Sequence, residues 1–482
     1  MNTQILTDKI KNDDILNNIA SFFDNEIYLV GGCVRDFLLG KTSTDRDLIV
    51  IDEDARTFSR KVADFFGGKF IPLDEENKIY RVVLPDKINF LDITNPIESS
   101  LNCDIKRRDL TINSIAVNIR TLEIPEVCEV GVEDLQNKIL RENTEENFTD
   151  DPLRLLRVFR FHATLGFDVA DSLLENVSKH RQLISIPAKE RVEYELMKLF
   201  SGKYCTESLI LMDKTKLLEE IFPIVKELKQ IPPNQHHHLD LFNHCIETVK
   251  QVQILYEKSS AEVQDHLNRV DFGGFSRLAH LKLACFLHDI GKPSTWTIEE
   301  DTKRHRFIKH DSVGEKLSVP LLKKLCFSNK QIDYISYIIK KHMYPTAVVS
   351  APEVNEKIMM RYLRKSEENA IDNILIAQAD RLSAQGPEIT QEIVTENINA
   401  LNNLMNFCLE AKKNIKPLPK LLDGNEIMEI LDIKPSPFLG KLLNELKEAQ
   451  LSGDITTKEE AINFIKKYSS INSTRLTNQE KS

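Results

Sequence analysis

The stretch IYLVGGCVRDFLLGKTSTDRDLIVI, residues 27–51, constrains the fold more than any other part of the chain. It reads as strand, glycine turn, short helix, loop and second strand. Residues 27–30 are apolar and stop at Gly31-Gly32, where the backbone can turn sharply and approach a ligand with no Cβ in the way. Residues 34–39 have helical apolar spacing. The first turn of that helix would aim N–H groups and the positive end of its dipole at an anion, with Arg35 beside them. Asp45 and Asp47 then stand two apart at the start of the second apolar run. Alternate residues on a strand share a face, so both carboxylates would point the same way and hold divalent metal together. A glycine pair alone is usually a turn and a lone D-x-D a solvated loop. Together, in this order, they suggest a phosphate cradle beside a metal site, and hence nucleotide chemistry.

Residues 1–26 read as an amphipathic helix with Ile10, Ile15, Leu16, Ile19, Phe22 and Phe23 as its apolar positions. A second helix is expected over 55–66, before Gly67-Gly68, and strands over 80–84 and 89–93. Asp92 sits at the end of the latter, where by position alone it reads as a solvated strand-end acid. The segment between Leu73 and Arg81 is polar and reads as a mobile loop.

Three cations precede Asp109, Thr111 and Asn113 in KRRDLTIN, and a forked arginine such as Arg108 suits phosphate oxygens. In DDPLRLLRVFRF, Asp151 is the expected N-cap and Pro152 the first residue of a helix. Arg154, Arg157 and Arg160 form a positive stripe on it, with Leu155, Leu156 and Phe159 on the packing side.

A different chemistry begins near residue 232. PPNQHHHLDLFNHC marks a boundary with prolines and leads into a helix carrying His244; CFLHDIGKP, KHDSVG, KKHMYP and IAQADRLSA add His288, Asp289, His310, His342 and Asp380. Imidazole nitrogens and carboxylate oxygens suit borderline divalent metals. Each of these histidines alone would pass for a surface or capping residue; the ordered set points to a metal centre. From about residue 390 the chain is helical and polar, and residues 411–420, AKKNIKPLPK, form a basic linker that meets either RNA phosphates or water.

With 482 residues the chain has room for about three domains. Its net charge of −10 cannot attract RNA as a whole, so any RNA contact must use local basic patches. The eight cysteines include no C-x-x-C, which fits reduced thiols in the cytoplasm and excludes a zinc ribbon. No stretch approaches a membrane-spanning length.

The GGCVRD turn with the DRD pair resembles the signature of polymerase-β-type nucleotidyltransferases, in particular the class II tRNA nucleotidyltransferases that build the 3′ CCA end. RRDLTIN is similar to the RRDFTIN motif of those enzymes, with Leu110 for Phe, and DDPLR to their EDxxR motif, with Asp150 for Glu. The resemblance implies that Asp45, Asp47 and Asp92 are catalytic, the first two as ligands of two Mg²⁺ ions. It implies nucleotide contacts from Gly31, Gly32, Arg35, Arg108, Asp109, Asn113, Asp151, Arg154, Arg157 and Arg160. Asp151 and Arg154 would pair with the base edge and select cytosine or adenine without a template. Glu190 and Arg191, in a segment similar to the family's neck helix, would support that pocket. The flexible element needed for adding the final A is expected near residues 73–81.

The second motif set resembles the HD-domain metallophosphohydrolases. That resemblance makes His244, His288, Asp289 and Asp380 core ligands of a divalent metal of unknown identity, and His310 and His342 the additional ligands of dinuclear versions. Lys292 is available for charge stabilisation, and His236, His237 and His238 match no position. Residues 421–455 resemble the family's C-terminal helical module, with Ser436 where glycine is usual.

The resulting expectation is an α+β protein. A small mixed-sheet nucleotidyltransferase head (1–145) is followed by an all-α neck with base-selecting and RNA-binding elements (146–230). An HD metallophosphohydrolase domain (231–395), a helical tRNA-binding module (396–470) and a disordered tail (471–482) complete it. The expected substrates are tRNA, CTP and ATP, with neither a membrane nor an obligate protein partner. The expected activity is CCA addition, with 2′,3′-cyclic phosphodiesterase or phosphatase action in the HD domain. The alternatives are CC-only or A-only addition, or an HD phosphohydrolase whose head binds RNA or nucleotide without catalysis.

Overall fold

The computed structural model describes residues 3–414, 419–451 and 453–479. The chain divides into two compact units, Met1–Val225 and Lys226–Ser482.

The first unit is built on a six-stranded sheet of β1 (Ile27–Val30), β2 (Asp45–Val50), β3 (Lys69–Asp74), β4 (Ile79–Val83), β5 (Phe90–Thr94) and β6 (Ala116–Asn118). The spatial order is β3-β4-β5-β2-β1-β6. Only β2 and β5 run parallel; every other pair is antiparallel. The alternation expected of β2 is visible in its side chains. Leu48 and Val50 are buried, and Arg46 turns away from the two aspartates to donate from Nε and Nη2 to Asp13 at 2.8 and 2.7 Å. The helix Ala55–Phe66 covers the sheet with Phe58 and Val62. Beyond the sheet, the helices Arg154–Leu165, Lys189–Ser201 and Cys205–Lys214 pack on one another.

Several expectations change. The N-terminal helix is two helices, Thr3–Lys11 and Asp14–Phe22, because Asp13 breaks the run and caps the second by accepting from Ile15 N and Leu16 N. Phe22, expected to pack, is exposed and lies 4.5 Å from the Phe65 ring. The polar segment after Leu73 forms the tight turn of a hairpin. Asp74 accepts from Asn77 N at 2.9 Å and from its Nδ2 at 2.7 Å, which lets β3 fold straight back into β4. Asp151 is not the N-cap: its side chain accepts from Leu153 N in a turn, and the helix proper starts at Arg154.

The second unit is helical around Arg277–Leu287, every residue of which is buried. A helix apolar on most of its circumference can be stable only as the centre of a bundle. One of its three polar residues, Arg277, bonds Asp372, which also receives Tyr334 Oη at 2.7 Å and lies 2.7 Å from His266 Nε2. Leu241–Lys258, Asn329–Lys341 and Ala370–Ser383 surround it, His310–Lys324 packs on Asn329–Lys341, and Trp296–Ile298 pairs with His305–Phe307 as a small hairpin. Gly424–Leu431, Pro437–Leu451 and Lys458–Gln479 share a core that includes Ile427, Leu442, Leu446 and Ile465. The last helix continues to Gln479, so the tail expected from residue 471 begins inside it, while 480–482 lie outside the described residues. So do 415–418 of the basic linker. Among the described residues, no helix is long and apolar enough to cross a membrane.

Candidate functional site

The register of the parallel pair sets Asp47 of β2 directly beside Asp92 of β5. Asp45 shares the face of Asp47, and one oxygen from each of Asp45, Asp47 and Asp92 lies within 4.8 Å of the others. Asp92 is therefore not a solvated strand-end acid. Arg81, its cross-strand neighbour on β4, donates to both of its oxygens at 2.7 Å. Burial pushes the Asp47 carboxyl up to about 6, opposed by Arg108 and assisted by Asp45 and Asp92. Burial and then Asp92 raise Asp45. Three oxygen donors that repel one another in this way fit a hard divalent cation.

Gly31 makes the bend beside them. Its φ of +80° favours glycine, and a Cβ there would come within 2.9 Å of Arg108 Nη1 and 3.2 Å of Asp47 Oδ2. The helix Gly32–Leu38 follows directly and carries Arg35. Arg35 Nη1 donates to Asn113 Oδ1 at 2.5 Å, and Asn113 Nδ2 donates to Asp109 Oδ1 at 3.0 Å. Arg157 Nε donates to the other Asp109 oxygen at 2.8 Å. Although burial raises it, Arg157 and these hydrogen bonds hold the Asp109 carboxyl down at about 2. Arg160 Nε donates to Glu195 at 2.9 Å, and its guanidinium lies 3.5 Å from the Phe161 ring centroid. Arg154 donates to Asn147 O at 3.1 Å.

One cavity of about 600 Å³ has Gly31, Gly32, Asp45 and Asp47 on its sheet side and Asp151, Arg154, Arg157 and Arg160 on its helix side. Arg35, Arg108, Asp109 and Asn113 lie between. Arg191 reaches Asp151 at 2.9 Å, whereas Glu190 is exposed, as is Asp150. The sequence reading missed Glu195, Phe161 and Lys198. Glu195 is 4% exposed and anchors Arg160, yet among the acids of VEYEL nothing marks it as the buried one.

In the second unit, His244 Nε2 lies 3.0 Å from Asp380 Oδ1, and His288 Nε2 3.1 Å from Asp289 Oδ2. His310 Nε2 lies 3.4 Å from Asp289 Oδ1 and 3.2 Å from His342 Nε2. Asp289 thus belongs to two donor groups, one with His244 and His288, the other with His310 and His342. Three of the rings have a fixed tautomer. Their Nδ1 atoms donate to backbone carbonyls, His288 to Cys285 at 2.7 Å, His310 to Phe307 at 2.8 Å and His342 to Ile339 at 2.7 Å, which leaves each Nε2 as a donor to metal. His244 Nε2, His288 Nε2 and both Asp289 oxygens are buried outside hydrogen-bond geometry. Such a donor set fits one or two borderline divalent ions. Burial opposes the Asp289 charge, but His288 and Lys292 hold its carboxyl well below the usual range. Lys292 Nζ is 2.6 Å away.

His237, left out of the sequence reading, belongs to this site. Its ring centroid is 4.4 Å from that of His244, its Nε2 3.4 Å from Lys292 Nζ, and it lines a cavity of about 490 Å³ with His310, His342 and Asp380. Burial, then Lys292, push its pKa down to about 2, so the ring is neutral.

The family described as Poly A polymerase head domain matches residues 27–141. That described as probable RNA and SrmB-binding site of polymerase A matches 166–229, and the HD domain 241–385. An A-adding tRNA nucleotidyltransferase of Deinococcus radiodurans is 30% identical over 446 residues, 91% of this chain and 95% of the relative. A CC-adding tRNA nucleotidyltransferase of Thermus thermophilus is 29% identical over 451 residues, 91% and 93% of the two chains. A solved CCA-adding enzyme in complex with CTP shares the fold at a TM-score of 0.63 and 19% identity, covering 97% of this chain and 98% of the other. The chain belongs to the class II tRNA nucleotidyltransferases that carry an HD domain.

Proposed function

We propose that the chain adds CMP and AMP to the 3′ end of tRNA, building CCA from CTP and ATP. The observation that carries this reading is the Asp45, Asp47 and Asp92 cluster at the Gly31 bend, of which Asp45 and Asp47 line one cavity with Asp151 and Arg154. The 3′ oxygen of the RNA attacks the α-phosphorus of the nucleotide, a new phosphodiester forms, the bond to the β-phosphate breaks, and pyrophosphate leaves. Asp45 and Asp47, with Asp92, would hold two Mg²⁺ ions. When bound, the ions supply activation of the hydroxyl and neutralisation of the triphosphate. Arg35 and Arg108 hold phosphate oxygens beside the glycine bend, where charge develops. Asp109 and Asn113 tie the head to the arginine stripe and fix the height of the pocket. Asp151 and Arg154 offer an acceptor and a donor fork to the base edge, which selects by complementarity.

The decisive experiment is nucleotide incorporation into tRNAs lacking all of CCA, lacking only the final A, or already complete. CTP and ATP are supplied singly and together, and wild type is compared with Asp45→Ala. Loss of incorporation in Asp45→Ala supports the reading; undiminished incorporation overturns it.

A second reading, addition of C residues alone, is favoured by one observation. The segment where the family's flexible element for A addition is expected is a tight turn pinned by Asp74 and Asn77. Under this reading CTP extends the first tRNA by two residues and ATP extends none.

In the second unit we propose metal-assisted hydrolysis of a phosphomonoester or of a 2′,3′-cyclic phosphodiester at damaged tRNA ends. His244, His288, Asp289 and Asp380 would hold the metal, with His310 and His342 for a second ion. Lys292, raised by Asp289 and Asp380 despite burial, stays charged to receive phosphate oxygens. Alanine at His288 and Asp289 should abolish phosphate release and spare incorporation; loss of both activities together would argue against separate sites.

A further inference from the structure

The helix Lys189–Ser201 buries Val192, Glu195, Leu196, Leu199 and Phe200 and turns a different face outward. Arg191, Tyr194 and Lys198 form that face, at the i, i+3, i+7 spacing of one helical stripe. Both ends of the stripe meet the nucleotide cavity. Arg191 binds Asp151 at 2.9 Å, and Lys198 lines the cavity wall. Lys198 is also close enough to Asp45 for its charge to act on that carboxylate. Tyr194 lies between them, 49% exposed, with Lys198 Nζ 4.4 Å from its ring centroid.

We infer that Tyr194, flanked by Arg191 and Lys198, is the platform on which the 3′-terminal nucleotide of the tRNA rests while its hydroxyl reaches the three aspartates. The inference rests on the nucleotide-addition reading and names the place of the second substrate. Three considerations assign the platform to the RNA and not to the incoming nucleotide. The base of the nucleotide is assigned to Asp151 and Arg154, and its triphosphate to Arg35 and Arg108 at the glycine bend. Tyr194 is not among the residues that line the nucleotide cavity, and it lies within the residues matched by the family described as probable RNA and SrmB-binding site of polymerase A. An aromatic face also stacks on any base, because every base has a π-face. A primer end changes identity with each addition, so a sequence-tolerant contact is what it requires. The flanking cations would neutralise the adjoining phosphates, a local basic patch on a chain whose net charge is −10.

The test uses the full-length protein and a tRNA lacking CCA that carries 2-aminopurine as its last nucleotide. Stacking quenches this base. Wild type should quench its fluorescence, Tyr194→Phe should do the same, and Tyr194→Leu and Tyr194→Ala should not. In steady state, the variants without a ring should raise KM for tRNA about five- to one-hundredfold and leave KM for CTP within about twofold. Tyr194→Phe should restore wild-type values. Melting curves identify a variant that fails by unfolding; of the two ringless variants, Tyr194→Leu better keeps the bulk. Quenching that survives loss of the ring, or an unchanged KM for tRNA, overturns the inference. A rise in KM for CTP alone overturns it too and puts the ring on the incoming nucleotide. Should the wild type add no nucleotide yet quench in a ring-dependent way, the platform stands and the nucleotide-addition reading falls.

Discussion

Arg157 converges on one oxygen of Asp109, with Nε at 2.8 Å and Nη2 at 2.7 Å. The pair joins the segment after β5 to the helix Arg154–Leu165, so the two sides of the nucleotide cavity are held at one separation.

The pair gives stability a pH dependence. The folded Asp109 carboxyl titrates at about 2, below its unfolded value, so its contribution is full above pH about 4 and is lost as pH falls through about 2. Asp109→Asn should cost about 2 kcal/mol at neutral pH, with the difference from wild type shrinking across that window. Urea denaturation at a series of acidic pH values measures this.

Glu195 is the buried counter-charge of Arg160, with Arg157 at 3.6 Å. Glu195→Ala leaves both cations facing each other and is expected to destabilise the first unit by about 3 kcal/mol. It should also raise KM for nucleotide more than KM for tRNA, because both arginines line the nucleotide cavity. Denaturation and steady-state kinetics with each substrate varied would read the two effects.

Asp45→Ala and Asp47→Ala should each lower the rate of incorporation about a hundredfold or more, since each removes a charged oxygen from the cation site. Calorimetric titration of chelator-treated protein with Mn²⁺ should resolve two classes of site. Asp45→Ala should delete one class and His288→Ala the other; a single class untouched by either substitution would contradict the two-centre assignment.

Gly291 follows the His288-Asp289 pair, and a Cβ there would stand 2.1 Å from His310 O. Gly291→Ala must push apart the segments that bring His310 to Asp289. Phosphohydrolysis and metal binding in the second unit should fall by at least about tenfold while CMP incorporation remains, a split visible by running both assays on one preparation.

The parts of this molecule that were legible in the sequence are those governed by local rules. Strand alternation sends Asp45 and Asp47 to one face and Arg46 to the other, and the glycine pair marks the bend. The histidine and aspartate series could be collected because metal donors are few in kind. What the sequence withheld depends on long-range register. That Asp92 stands beside Asp47, with Arg81 on its far side, follows from strand order, which no local pattern encodes. Glu195 looks like any helix-surface acid until the neighbouring helix brings two arginines against it. His237 stood among three consecutive histidines, and only the turn through residues 234–238 selects which one meets the His244 ring edge-on. Phe22 completed an apolar pattern and yet faces outward beside Phe65, because the helix ends there.

Asp47 and Asp92 share one rung of a parallel ladder, so the gap between them is the strand-to-strand spacing itself, about 4.8 Å. Backbone hydrogen bonding, common to all sequences, thus serves as the gauge of the cation seat. Substitutions elsewhere in the head can accumulate without recalibrating it, provided those two strands stay in step; a slip of one residue would turn one of the acids to the opposite side and dismantle the seat in a single move.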